Sequence, residues 1–257
     1  MKVLRKYQRH IIGSIAVTNI AYKGIVERIE YAISERNLLS IMYASAHIVN
    51  IAENDILLQE ALSSADIVHP DGIGVWMASQ LIYDIPFVER FNWSDFTIPF
   101  LRMCAERHWS IFFLGATEAT LNLASTNLSK SLPSLQIAGM RNGYGAVDSA
   151  ECIKEINRSG ADILWVGMGS PKQNLWMKRH RSNITVPVVQ AVGDAFAIVA
   201  GTKARGPKFI QKAGLEWLVR LLRHPVRFFT RYVIGIPFFM SIIIRQKLSM
   251  ARTVRGA

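Results

Sequence analysis

Apolar positions in this chain come in short runs, separated by longer segments with helical spacing. Runs of four to seven apolar residues bounded by turn residues read as buried strands, and apolar positions three and four apart read as the inner face of a helix. On that basis strands are predicted at 11–17, 40–44, 65–68, 110–114, 135–139, 163–166 and 186–192. Helices are predicted at 22–36, 46–52, 55–62, 75–83, 96–107, 117–130, 149–157 and 195–200, with 91–95 as a loop. Strands alternating with helices of 10–15 residues imply βαβ crossovers. The expected fold class is α/β: a Rossmann-like, mostly parallel sheet flanked by helices.

The clearest element is 163–178, ILWVGMGSPKQNLWMK. An apolar run is followed by Gly167 and Gly169, then by Ser170 and Pro171, then by helical spacing. Ser suits a helix N-cap and Pro the first helical position, so the helix is predicted to start at Pro171. Two readings stay open, an ordinary tight βα turn or a phosphate cradle at a helix N-terminus. A dinucleotide fingerprint and a Walker loop are both excluded, because the third glycine and the GK[ST] ending are missing. Ligands of parallel sheets sit beyond the carboxyl ends of the strands. The turns at 70–74, 115, 142–145, 167–172 and 193–194 are therefore expected to converge on one rim. Gly72, Gly115, Gly143, Tyr144, Gly167, Gly169, Pro171 and Asp194 lie in those turns, and Ser45 follows strand 40–44, so all nine are candidate substrate-binding residues.

Half of the 257 residues are apolar, enough for a sizeable core. The two cysteines, Cys104 and Cys152, lie in helix-like segments without metal-ligand spacing and read as buried thiols of a reducing cytoplasm. No signal peptide is visible, and no run reaches the roughly 18 apolar residues that a bilayer span needs. Charge changes the picture more. Residues 1–200 hold 18 Lys/Arg and 18 Asp/Glu, whereas 201–257 hold 12 Lys/Arg against one acid, Glu216, so the whole net charge of +11 lies in the last stretch. This divides the chain into an α/β domain (1–200) and a basic amphipathic helical appendage (201–257). Arg220, Arg223, Arg227 and Arg231 are spaced 3, 4 and 4 apart, as on one helical face, with Pro225 starting a second helix or kinking the first. Residues 232–244 are nearly all apolar but too short to span. Basic residues beside Trp217, Phe228, Phe229 and Phe238 describe a helix lying in an anionic membrane interface. The alternative is a terminal helix packed on the domain, with a solvated basic face.

Among candidate chemical groups, Asp71 leads. It sits in a Pro-Asp-Gly turn after a strand, on the expected rim, although such a sequence is also simply a good turn. Arg90 is placed to meet a phosphate or Asp71, and Gln173 to bond a ligand from the first turn of its helix, with surface Gln as the alternative. His69 is an incidental neighbour of Asp71. No His/Cys/Asp cluster has metal spacing and no G-x-S-x-G elbow occurs.

HPDGIGV (69–75), VGMGSPKQ (166–173) and KAGLEWLVRLLRHPVR (212–227) together resemble the WecG/TagA/CpsF glycosyltransferases, glycosyltransferase family 26, with the motifs in order from about residue 10 to 235. The resemblance implies an inverting, metal-independent enzyme without a cofactor. Such an enzyme moves a sugar (N-acetylmannosamine-type, its uronic acid, or glucose) from a UDP-sugar to a polyprenyl-diphosphate-linked acceptor in bacterial surface polysaccharide synthesis. It implies peripheral attachment at the cytoplasmic face of the inner membrane and leaves a homo-oligomer open. By the same resemblance Asp71 is the base, Arg90 an active-site arginine and Gln173 a ligand contact. Arg220 and Arg227 complete the site over the diphosphate, and Arg231 falls one place from a third such arginine. The chain departs from the family pattern at four places. Tyr43-Ala44-Ser45-Ala46 stands where Thr-Pro-Asn-Ala is frequent, and Gln173-Asn174 where Gln-Glu is usual. In Gly193-Asp194-Ala195-Phe196-Ala197 the acid of Gly-Gly-x-Phe-Asp is displaced by three places, and Ala204-Arg205-Gly206-Pro207 replaces Lys-Arg-Ala-Pro. Two other classes fit less well. A nucleotide-dependent oxidoreductase needs a completed glycine fingerprint, and a nucleic-acid binder has no use for the long apolar run of the tail.

Overall fold

The computed structural model describes residues 7–203 and 206–255; Ala204 and Arg205 of the Ala-Arg-Gly-Pro segment lie outside the described residues. Four helix starts follow directly from side-chain chemistry. Ser45, Asp55, Thr117 and Ser149 each accept the backbone N–H three residues on, and so open α2 (Ala46–Ala52), α3 (Ile56–Ser63), α6 (Glu118–Ser131) and α7 (Ala150–Arg158). Six strands form one sheet: β3 (Leu39–Ala44), β4 (Ile67–Pro70), β5 (Ser110–Gly115), β6 (Gln136–Arg141), β7 (Ile163–Gly167) and β8 (Val188–Ala191). Their order is β4-β3-β8-β7-β5-β6, and every pairing is parallel. The expected α/β class is borne out. All five residues of β7 are buried, as its unbroken apolar run requires of a strand covered on both faces.

Helices cover the sheet on both sides. On one side α2, α3, α7, α4 (Ile73–Ile82) and α8 (Lys172–His180) bury Val49, Leu58, Val75, Ile156 and Trp176. On the other, α1 (Tyr22–Ser34), α5 (Trp93–Glu106), α6 and α9 (Ala195–Val199) bury Ile29, Phe100, Leu121 and Phe196. The helix after β8 thus goes to the face opposite those after its neighbours β3 and β7. The connections diverge to opposite faces at the carboxyl end of β8, the kind of switch point at which ligands of open α/β sheets bind.

Three local expectations are corrected. The predicted strand 11–17 is a hairpin of β1 (Arg9–Ile12) and β2 (Ile15–Thr18), because Gly13 adopts φ +59° and turns the chain with Ser14. Of the predicted loop 91–95, residues 93–95 already belong to α5, which Asn92 caps by accepting the Ser94 N–H. The helix after β7 begins at Lys172 with Pro171 in the cap position, so Ser170 is no N-cap.

The tail also differs from expectation. α10 (Lys208–Lys212) and α11 (Glu216–Arg223) are followed by α12 (Pro225–Phe229), a π-helical stretch (Thr230–Ile234) and α13 (Gly235–Arg255). Pro225 does start a new helix. His224, at φ −139° and ψ 66°, breaks the helical ladder, so the four arginines do not share one face. Pro237 sits in the first turn of α13, where the ladder is already shifted, and does not end the helix. Helix therefore runs through Pro225–Arg252, 28 residues long and apolar enough to cross a membrane by length and composition. The expectation that nothing in the tail reaches that length is corrected. Even so, Phe239, Ile242 and Ile243 are buried in the core beside Val49 and Val75. Gln246 Nε2 donates to the Ile11 carbonyl (2.7 Å), and its Oε1 accepts from Gly13 N–H (2.9 Å). One face of α13 is docked on the α/β domain.

Candidate active site

Because all six strands run the same way, their carboxyl-end turns do share one rim, and backbone bonds knit them together. Asp71 N–H donates to Ala44 O, Ala116 N–H to Gly167 O and Gly143 N–H to Ala116 O. Gly115, Gly143 and Gly167 allow this closeness. A Cβ on Gly115 would run into the Gly167 carbonyl, and one on Gly143 would lie 2.9 Å from Gly115 Cα. These glycines are packing devices of the rim.

Asp71 follows β4 directly, and Gly72 (φ +82°) lets the chain turn into α4. One carboxylate oxygen, Oδ1, accepts the Trp93 N–H at 2.8 Å, where α5 begins. A helix N-terminus favours a carboxylate. Burial opposes it and dominates: the Asp71 carboxyl is pushed up to about 6, although Trp93 N–H, Lys203 and Arg220 pull it down; Asp194 adds to the rise. Asp71 is thus a carboxylate poised near neutrality, and among the described residues the hydrogen bond it accepts falls on Oδ1.

A charged group surrounds it. Asp194, in the β8–α9 turn, pairs with Lys203 Nζ at 2.7 Å and lies 4.0 Å from Arg220 Nη1. Burial raises the Asp194 carboxyl, but Lys203 and Arg220 outweigh this and hold it below its ordinary range. Arg220 Nη2 also meets Glu216 Oε2, one turn earlier on α11, at 3.5 Å. Tyr43, at the end of β3, has its hydroxyl pushed up to about 12 by burial and then by the carboxylates of Asp71 and Asp194. It is a neutral donor at any ordinary pH. His69 is wholly buried against Phe91, its Nδ1 bonded to Pro70 O, and burial lowers it to about 4. It stays neutral beside the acid.

Other candidates fall elsewhere. Gln173 is neither a surface residue nor open to a ligand in this conformation. It is 0 % exposed, Nε2 donates to Tyr43 Oη and Ser170 Oγ (3.3 Å each), and Oε1 accepts from Gly193 N–H (3.2 Å). It clips together the ends of β3, β7 and β8. Gly167, Gly169 (φ +77°), Ser170 and Pro171 form the turn above this clip. Ser45 spends its hydroxyl on capping α2. Arg90 reaches the appendage, with Nη2 donating to Gln211 O (3.4 Å). Arg227 is exposed and lies over Phe228, so the structure does not bring it to the rim. Arg231 does approach, close enough to lower both Asp194 and, after burial, His47 (to about 4). Tyr144 is 68 % exposed beside a cleft of about 310 Å³, with Lys172 Nζ 5.6 Å from its ring. Four strands separate β6 from β4, about 24 Å at 4.8 Å per strand, so Gly143 and Tyr144 are not neighbours of Asp71. Sequence reasoning missed Tyr43, Glu216 and Lys203. Lys203 had left one signal, a lysine standing one place before the alanine that replaces the family's lysine.

Comparison with known proteins decides the family. Residues 10–253 match the profile of the Glycosyl transferase WecG/TagA/CpsF family. The chain belongs to that family. It is 30 % identical over 231 residues, 89 % of each chain, to an N-acetylglucosaminyldiphosphoundecaprenol N-acetyl-beta-D-mannosaminyltransferase of Staphylococcus aureus. It is also 30 % identical over 194 residues to a protein of the same name from Bacillus spizizenii, covering 76 % of this chain and 74 % of the relative. The chain is accordingly a glycosyltransferase of the WecG/TagA/CpsF family. Among the described residues no three His, Cys, Asp or Glu side chains are grouped so as to hold a metal ion.

Proposed function

We propose that this glycosyltransferase moves an N-acetylmannosamine-type hexose from a UDP-sugar to a polyprenyl-diphosphate-linked N-acetylglucosamine acceptor, with inversion and without a metal. The observation that carries the chemistry is Asp71. A carboxylate held by a helix N-terminus and raised to about 6 is matched to taking a proton near neutral pH. In the reaction the acceptor hydroxyl oxygen bonds to the anomeric carbon while its proton passes to Asp71 Oδ2. The bond from that carbon to the phosphate oxygen breaks, and its electron pair leaves with UDP. The leaving diphosphate needs positive charge. Arg220 and Arg231 are the residues we assign to it, with Arg90 on the same side of the rim. The names of the relatives support the sugar and the acceptor. Residues 1–200 act as the catalytic domain and 201–257 as the appendage that keeps the enzyme at the cytoplasmic face of the inner membrane.

The test compares wild type with Asp71→Asn on a panel of UDP-sugars and a short-chain polyprenyl-diphosphate acceptor. The variant is expected to bind UDP-sugar nearly as wild type and to turn over about 10²–10⁴-fold more slowly. Near-normal turnover refutes the assignment.

A further inference from the structure

We propose that Lys203 is a positioning residue for Asp71, tying the β8–α9 turn to the N-terminus of α5. The proposal rests on Asp71 being the base. Three observations meet at this lysine. Its Nζ donates to Asp194 Oδ1 at 2.7 Å and to Ser94 Oγ at 3.2 Å, and its side chain is only 9 % exposed. Ser94 is the second residue of α5, and the first, Trp93, supplies the N–H that holds Asp71 Oδ1. A buried ammonium therefore joins a carboxylate of one turn to the helix end that fixes the base. Lys203 also opens the stretch leading to α11, whose Arg220 lies 4.0 Å from Asp194. Asp194 is thus shared between Lys203 and Arg220.

The fold joins Lys203 and Asp194 in one ion pair, with the lysine side chain almost wholly covered. A buried charge is tolerated only with such a partner.

The charged and titratable groups facing Asp71 are Tyr43 from β3, Asp194 from the β8–α9 turn, Lys203 from the segment between α9 and α10, and Arg220 from α11, with neutral His69 behind it on β4. Lys203 lowers the Asp71 carboxyl and Asp194 raises it. The experiment records the acid limb of the kcat/KM–pH profile for full-length wild type, Lys203→Met, Lys203→Arg, Asp194→Asn and the Met/Asn double variant, each checked by thermal melting. Lys203→Met is expected to lower kcat about tenfold or more, as loss of positioning does, with donor KM changed less than about twofold. Its acid limb moves up by about half a unit to one unit, the low end of what a neighbouring charge achieves. Lys203→Arg restores most of the rate, Asp194→Asn moves the limb down, and the double variant lies between. General loss of stability moves no limb in opposite directions for the two partners. A folded Lys203→Met variant with its limb at the wild-type position overturns the proposal while leaving Asp71 as the base. An acid limb that survives in Asp71→Asn overturns the base assignment itself.

Discussion

The raised Asp71 carboxyl makes a prediction that runs against the usual effect of mutating a buried polar residue. In the folded chain its pKa is about 6, against 3.8 for a free aspartate. Between those two pH values the folded state keeps a proton that the unfolded state releases. Linkage then gives the sign: stability falls as pH rises through this window, and the whole deficit is present above pH 6. At about 1.4 kcal/mol per unit, a shift of roughly two units costs about 3 kcal/mol at neutral pH. That value is a ceiling, because Asp71 keeps partial contact with solvent on the rim. Asparagine retains an oxygen for the Trp93 N–H and carries no charge to bury. Asp71→Asn should therefore be more stable than wild type at pH 7.5, by about 1–2 kcal/mol, or roughly 2–8 °C in melting temperature for a chain of this size. At pH 4, where the wild-type acid is already protonated, the gain should vanish. Activity shows the complementary face of the same equilibrium. A base of pKa about 6 is roughly 90 % ionised at pH 7 and 10 % at pH 5, so kcat/KM should fall about tenfold per unit below pH 6. Paired melts of both proteins at the two pH values decide the matter. A variant that is less stable at pH 7.5, or equally stabilised at both, refutes the account of a carboxylate strained by burial.

Three further outcomes follow from the structure. Turnover should survive saturating EDTA, since the diphosphate charge is assigned to arginine side chains; a strict need for Mg²⁺ or Mn²⁺, shown by loss in EDTA and recovery on adding the ion back, contradicts this. Gly115→Ala should cost about 2–4 kcal/mol, because its φ is +143° and its new methyl meets the Gly167 carbonyl; an unchanged urea midpoint would show that the rim backbone yields easily. Changing exposed Arg245, Lys247 and Arg252 to Gln should weaken co-sedimentation with anionic vesicles by up to about a hundredfold at low salt, at roughly 1 kcal/mol per charge, with the melting temperature unchanged; undiminished binding means these side chains do not face lipid.

Much of the α/β domain was legible because its signals are local. The unbroken run of β7, the caps at Ser45, Asp55, Thr117 and Ser149, and the Pro-Asp-Gly turn at Asp71 each specify their own geometry from neighbours in sequence. The hairpin at Gly13 was missed because a two-residue turn inside an apolar stretch hardly interrupts its hydrophobic pattern. The Asn92 cap was missed because the apolar spacing of α5 becomes clear only from Phe96 onward. Gln173 shows a different limit. Its position on the first turn of α8 was readable, but the direction of its side chain depends on Tyr43, 130 residues away, and on the backbone of Gly193. Lys203 had the same difficulty: a lysine in a basic tail reads as a solvated charge until the fold brings Asp194 and Ser94 to it.

The tail shows most plainly how one composition is compatible with several placements. Its excess of positive charge and its apolar run suit a helix in an interface, a helix across a bilayer and a helix packed on protein. What separates the three is the spacing of a few side chains. Phe239, Ile242 and Ile243 stand three and four apart and enter the core, and Gln246, one turn further, bonds the hairpin at Ile11 and Gly13. A helix surrounded by lipid would have to withdraw that stripe and break those bonds. While docked, it offers lipid only its other side, where Ile236, Phe238, Met240, Ile244 and Leu248 are exposed among Arg245 and Lys247. The same helix that can face a membrane outwardly is continuous, through the π-helical stretch, with Arg231 close to Asp194. Under the proposed function, membrane contact and completion of the charged rim are two roles of one continuous helical run, and that is a physical reason for the arginines to lie in the tail.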